Sequence, residues 1–237
     1  DMDRVELFET AGNPVVYGEL TTDESKPTVL VYGHYDVQPP DPMDKWETPP
    51  FEPTVRDGDI YARGSSDDKG QSYTHLKALE AYQKSETDFP VNIKFIFEGE
   101  EEIGSPSLVP FIEDHKELLG CDMVLISDTA MFAEDTPSIT YGLRGLAYMQ
   151  VEVQGPNRDL HSGVYGGAVD NPANVLSNII AQLKDDDNVI QIPGFYDDVK
   201  ELTEEDREAF LKLPFDEEEY KEKLGLKALD GEKGYST

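Results

Sequence analysis

A chain of 237 residues with 50 acidic and 20 basic side chains carries a formal net charge of −30, which argues against nucleic acid and anionic membranes as partners because both would be repelled. Its 38% hydrophobic content is enough to build a core for one large domain or two small ones. Cys121 is its one cysteine, so no internal disulfide can form and a reducing, cytoplasmic location is expected; no apolar run is long enough to span a bilayer, and no signal-peptide pattern opens the chain.

Residues 5–8 and 15–20 alternate in the manner of strands. Residues 28–32 (Thr-Val-Leu-Val-Tyr) are a short β-branched apolar run suited to a buried strand, ending at Gly33-His34-Tyr35-Asp36. A proline-rich connection over residues 39–53 follows, and Asp57-Gly58 signals a hairpin between residues 54–56 and 60–62. The Gly-flanked stretch Gly64-Ser65-Ser66-Asp67-Asp68-Lys69-Gly70 leads into a helix over residues 71–82, where Leu76, Leu79 and Tyr82 share a face. Taken alone, Asp67 reads as a helix N-cap.

Residues 91–97 (Val-Asn-Ile-Lys-Phe-Ile-Phe) form the next expected strand, running into Glu98-Gly99-Glu100-Glu101-Glu102-Ile103-Gly104-Ser105. A helix over residues 108–119 and a third buried strand over residues 123–126, ending at Ser127-Asp128, complete an alternation of strand and helix. That alternation predicts an α/β fold: a mostly parallel sheet flanked by helices.

The composition changes after Pro137. An alternating segment over residues 147–153 predicts a strand with one buried face, and a helix is expected over residues 174–183. Between them lies Asp159-Leu160-His161-Ser162-Gly163, and beyond them an acidic stretch whose charges read as solvated faces. We therefore divide the chain into residues 1–138 and a smaller α+β domain over residues 139–237.

Three expected strands end in His34, Glu101/Glu102 and Asp128, with Asp67 at a helix start, and open α/β sheets bind ligands beyond the carboxyl ends of their strands. Histidine and carboxylates without clustered thiols suit a catalytic zinc or manganese centre. Asp67 is the candidate bridge between two ions, with His34 and Asp128 completing one and Glu102 serving the other. Asp36, two residues beyond His34, could accept the second imidazole N–H. Glu101 and Glu102 are neighbours that cannot point the same way in regular backbone, so one can bind metal while the other, Glu101, acts as general base toward a metal-activated water. Glu98 and Glu100 read as a charged loop, Lys69 as a solvated lysine, and His75 and His115 as helix residues without chemistry. His161 stands evenly between a surface loop histidine and a site residue.

The segments Gly33-His34-Tyr35-Asp36-Val37-Gln38-Pro39, Gly64-Ser65-Ser66-Asp67-Asp68-Lys69-Gly70, residues 98–105 and Ser127-Asp128 resemble the metal motifs of the di-zinc exopeptidases. Tyr141-Gly142-Leu143-Arg144-Gly145 and Asp159-Leu160-His161-Ser162-Gly163-Val164-Tyr165-Gly166-Gly167 are similar to the branch that holds cytosolic non-specific dipeptidase and carnosinase. The resemblance implies a zinc exopeptidase-like catalytic domain, here incomplete, followed by part of a lid and dimerisation domain. It implies two divalent ions, zinc first with manganese or cobalt as alternatives: His34, Asp67 and Asp128 on one, Asp67 and Glu102 on the other. It further implies Glu101 as general base, Asp36 supporting His34, a cis peptide at Asp67-Asp68, and His161 reaching the active site of the other subunit of a homodimer.

The implied activity is hydrolysis of small peptides. Members of the family place a further histidine on the second ion, and none follows His161, so the chain is expected to be an internal portion of a longer enzyme. An N-acyl amino acid amidohydrolase (a deacylase or desuccinylase) and a non-catalytic remnant module are the alternatives.

Overall fold

The computed structural model describes residues 2–85, 87–133 and 136–235. It forms two compact units, Asp1–Thr140 and Tyr141–Thr237. In chain order the first contains β1 (Arg4–Phe8), β2 (Val15–Leu20), β3 (Thr28–His34), β4 (Thr54–Arg56), β5 (Asp59–Tyr61), α1 (Lys69–Lys84), β6 (Asn92–Glu98), α2 (Leu108–Asp114) and β7 (Met123–Ile126).

The principal sheet has the order β1-β2-β6-β3-β7. β3 pairs parallel with both β6 and β7, whereas β2 is antiparallel to β1 and to β6, so β2 alone runs against the others. The parallel register aligns His34 with Glu98 and Tyr32 with Ile126. Sequence positions far apart thus reach one rim of the sheet because three neighbouring parallel strands end within two residues of one another in register. β4 and β5 form a separate hairpin around Asp57-Gly58, where both residues take positive φ, as a tight primed turn requires.

Alternation along the central strands sends side chains to opposite faces. On one face Val15, Tyr17, Leu30 and Ile96 pack with Phe111 and Leu119; on the other Val31 and Phe95 pack with Leu79 of α1 and Phe89. Each such side chain, fully buried, contributes roughly 1.5–3 kcal/mol. Lys94 crosses the first face and donates its ammonium to the carbonyls of Leu118 (2.7 Å) and Gly120 (2.8 Å), tying off the turns that follow α2.

Several local expectations change. The helix expected over residues 108–119 is α2 only as far as Asp114, with turns beyond. β7 was expected to be buried, yet Met123, Val124, Leu125 and Ile126 are all exposed, because β7 is the sheet's edge and nothing among the described residues covers it. The N-cap of α1 is Asp68 rather than Asp67, and it makes no side-chain cap; its Oδ2 instead meets the His34 N–H and the Ser72 hydroxyl.

The second unit contains α3 (Ser162–Tyr165), α4 (Pro172–Ala181), α5 (Glu204–Leu211) and α6 (Glu217–Leu224). α4 starts on Asn171, whose Oδ1 accepts the Ala173 N–H, with Pro172 at the first helical position. Asp216 caps α6 and Gly225 closes it in the left-handed region. Residues 147–153 form no strand: they alternate, but with Tyr148 and Met149 exposed they have no neighbouring strand to pair with among the described residues. No helix among the described residues is long and apolar enough to cross a membrane.

Candidate metal centre

His34 ends β3 with its side chain 1% exposed. Gly33 lets the strand end close against α1: a Cβ there would sit 2.3 Å from Ser72 Oγ and 2.7 Å from Asp68 Oδ2. Asp68, 2% exposed, accepts the His34 N–H (3.1 Å) and the Ser72 hydroxyl (3.0 Å) on that same Oδ2. One buried carboxylate therefore fixes the start of α1 to the end of β3. The peptide between Asp67 and Asp68 is cis, as the resemblance implied, and Asp67 is exposed.

Around the imidazole the chain gathers its acids. Nε2 lies 3.0 Å from Asp67 Oδ1, 3.7 Å from Asp128 Oδ2 and 4.0 Å from Glu101 Oε2. Ligand atoms of His34, Glu101 and Asp128 all fall within 4.8 Å of one another. Nδ1 is 3.2 Å from Asp36 Oδ1 and 3.2 Å from the Asp36 carbonyl. The sequence-derived site residues His34, Asp36, Asp67, Glu101 and Asp128 thus converge on one place. Glu102 stands beside them, its carboxylate held by Gln38 through the backbone N–H (3.2 Å) and the side-chain amide (2.6 Å). His161 belongs to the second unit, where it caps α3 by accepting the Gly163 N–H on Nδ1 (3.0 Å).

The electrostatics follow from crowding. Burial pushes the Glu101 carboxyl above its usual range, with Asp128, Glu102 and Asp36 adding and His34 opposing. Asp128 is raised likewise, by burial first and then by Asp67 and Asp68. For His34, burial lowers the imidazole, but the charges of Glu101, Asp128, Asp36 and Asp68 outweigh it and leave the group raised. Carboxylates pressed together in this way favour a cation among them.

Two further observations fit a divalent ion. His34 Nε2 is buried and makes no well-directed hydrogen bond, although Asp67 Oδ1 lies only 3.0 Å away. It faces carboxylate oxygens while Nδ1 is taken by Asp36, the arrangement by which a metal-bound histidine has its tautomer fixed. An imidazole and carboxylates with no thiolate suit a borderline or hard divalent cation.

A profile of the peptidase family M20/M25/M40 matches residues 30–223. The chain is a member of that family. It is 42% identical over 210 residues to the Beta-Ala-His dipeptidase of Homo sapiens, covering 88% of this chain and 41% of that protein. It is 42% identical over 215 residues to the Cys-Gly metallodipeptidase of Schizosaccharomyces pombe, covering 90% and 45%. Among solved structures it superposes on human carnosine dipeptidase 1 with a TM-score of 0.76 at 38% identity, covering 96% of this chain and 50% of that one. An M20 family metallo-carboxypeptidase, Sso-CP2 from Sulfolobus solfataricus, matches with the same TM-score and identity, over 96% and 52%. The chain spans less than half the length of the curated relatives it matches.

Several residues around these side chains escaped the sequence. Glu98 and Glu100, read as loop charges, are 3% and 5% exposed, and both carboxylates accept hydrogen bonds. Glu98 Oε1 accepts the hydroxyls of Tyr32 (2.7 Å) and Ser105 (2.6 Å). Lys69, read as solvated, donates to the Tyr35 carbonyl, and His75 Nε2 lies 2.6 Å from Ser127 Oγ, next to Asp128. Their partners lie from 7 to 87 residues away in the chain, so local pattern carries no trace of them. The one available signal was position: each acid or cation lies within two residues of a strand end or helix start.

Proposed function

We propose that this protein is a metal-dependent dipeptidase whose hydrolytic centre is built on His34, Asp67, Asp128, Glu101 and Glu102. The observation that carries the reading is the buried Nε2 of His34, turned toward carboxylate oxygens of Asp67, Asp128 and Glu101 at 3.0, 3.7 and 4.0 Å. His34, Asp67 and Asp128 would hold one divalent ion, and Asp67 with Glu102 a second; zinc is the proposed ion, manganese or cobalt the alternatives. Such ions acidify a bound water and polarise the scissile carbonyl.

The chain's own residues then divide the work. Asp36 fixes the His34 ring by accepting its Nδ1–H and keeps Nε2 deprotonated toward the ion. Glu101, raised by burial and by its acidic neighbours, takes the proton of the attacking water and returns it to the leaving amine. Gln38 steadies Glu102 until an ion competes for its oxygens. His161 accepts the Gly163 N–H on Nδ1, so its neutral form carries the proton on Nε2, the form able to donate to a developing oxyanion. We assign it that role across a homodimer formed through the second unit, with residues 1–138 as the catalytic part. Small peptides are the substrates, and the single cysteine suits a reducing cytoplasm.

The test is turnover by the protein stripped with chelator and reloaded with zinc or manganese. The substrates are β-Ala-His and Cys-Gly, a longer peptide, and an N-acetyl amino acid. Metal-dependent release of amino acids from the dipeptides supports the proposal. Preference for the N-acetyl amino acid would move the protein to the amidohydrolase reading, and no turnover of any of them to a non-catalytic one.

A further inference from the structure

Glu100 is a buried carboxylate that the proposed chemistry leaves without a task. It precedes Glu101 and Glu102, yet it points away from them into the turn between β1 and β2. Oε1 accepts the Asn13 N–H (3.2 Å) and Oε2 the Ser107 N–H (3.1 Å), bonds that span 87 and 7 residues of chain. Hydrogen bonding from Ser107 leads the causes that hold Glu100 below the usual carboxylate range, with Asn13 contributing and burial and Asp36 opposing.

The turn is shaped to receive it. A Cβ on Gly12 would lie 1.7 Å from Glu100 Oε1, so only glycine leaves room for the carboxylate. Asn13 reaches back with its side-chain amide to the Gly99 carbonyl (2.6 Å). Tyr35 donates its hydroxyl to the Pro14 carbonyl (2.7 Å), and its ring lies where a Cβ on Gly99 would be, 2.4 Å away. From the other side, Asp36 accepts the N–H groups of Glu101 (3.2 Å) and Glu102 (3.0 Å). The segment bearing the two glutamates is thus gripped at both ends, by Asp36 within the site and by the β1–β2 turn outside it.

We infer that the β1–β2 turn belongs to the positioning machinery of the site: Glu100, seated on Asn13 and Ser107 over Gly12, is a positioning residue that sets where Glu101 and Glu102 present their carboxylates. This rests on the assignment of those two glutamates to the metal centre. It gives β1 and β2, the antiparallel addition to an otherwise parallel sheet, a task in the chemistry. Preorganised side chains are effective only when the backbone beneath them cannot shift, and a misplacement of about 1 Å can cost about 10²-fold in rate.

The experiment compares wild type with Glu100→Ala, Glu100→Gln and Gly12→Ala. In the metal-free protein, amide exchange at Asn13 and Ser107 should accelerate by about tenfold or more in Glu100→Ala, as expected for loss of local protection. Co2+ affinity, read by titration of its visible absorption, should weaken about 10–100-fold, as when a partner behind a ligand is removed. With a dipeptide substrate kcat should fall more than KM rises. Glu100→Gln, which keeps one acceptor oxygen, should fall between wild type and Glu100→Ala. Gly12→Ala should reproduce the loss, and should add nothing when Glu100 is already alanine.

Unchanged exchange, or faster exchange with unchanged Co2+ affinity, overturns the inference, as does additivity of the two changes. A wild-type protein without dipeptide turnover would defeat the proposed function, while exchange and Co2+ binding would still decide the role of Glu100.

Discussion

Asp36 Oδ1 lies 3.2 Å from His34 Nδ1, and the same carboxylate accepts the backbone N–H groups of Glu101 and Glu102. A residue expected only to orient an imidazole therefore also anchors the segment that carries the proposed general base, Glu101. Asp36→Asn would turn its NH2 toward either the Glu102 N–H or the donors now on Oδ1, and Asp36→Ala would leave all three unpaired. For Asp36→Ala, zinc affinity should fall about 10–100-fold. Competition against a chromophoric chelator measures it, and an affinity equal to wild type would remove Asp36 from the support of His34.

Glu101 is the acid in the cluster whose removal should separate chemistry from metal binding. Its oxygen is 4.0 Å from His34 Nε2, against 3.0 Å for Asp67 and 3.7 Å for Asp128. Glu101→Ala should lower kcat by at least about 10²–10⁴-fold, the usual worth of a positioned general base. Metal content by elemental analysis should stay at the wild-type level. Loss of metal together with activity would instead make Glu101 a ligand.

His161→Ala should lower turnover far more than metal occupancy, because His161 caps α3 in the second unit and is proposed to act on the substrate oxygen. Mixing this variant with Glu101→Ala should regain part of the activity, since a mixed dimer can assemble one site with both residues intact. A mixture no more active than its components would rule out action across subunits.

His75 supplies a pH dependence of stability. Burial holds its imidazole below the ordinary value of 6.5, against a smaller opposing effect of Asp68. As pH falls, the unfolded chain takes up the proton first. The contribution of His75 is therefore complete above 6.5 and is lost as pH falls through its lower folded value. Urea unfolding midpoints of wild type should drop between pH 7 and pH 5 more than those of His75→Gln, and parallel pH profiles would contradict this.

What could be read from the sequence was whatever one strand or one turn encodes locally. The apolar runs of β3, β6 and β7 and the polar residues just past them were enough to bring His34, Glu101 and Asp128 to a common rim, because parallel strands that stop together need no further information. Hydrophobic pattern marks surface meant for burial, not surface that has found a partner. That is why β7 is paired but uncovered, and why residues 147–153 alternate without forming a strand. Charge was misread for the complementary reason. Glu98 and Glu100 look like solvated acids in the chain, but their partners Tyr32 and Asn13 arrive from β3 and from the β1–β2 turn. Asp68 has no task assigned by the sequence, because its partner, the His34 N–H, lies 34 residues away.

Crystals of the zinc-loaded protein, with anomalous diffraction recorded on both sides of the zinc edge, test the central claim most directly. The account predicts a peak within about 2.0–2.2 Å of His34 Nε2 and of oxygens from Asp67 and Asp128, the distances zinc keeps to such ligands. It predicts a second peak shared by Asp67 and Glu102. Zinc bound elsewhere, or a single ion that does not touch His34, would contradict it.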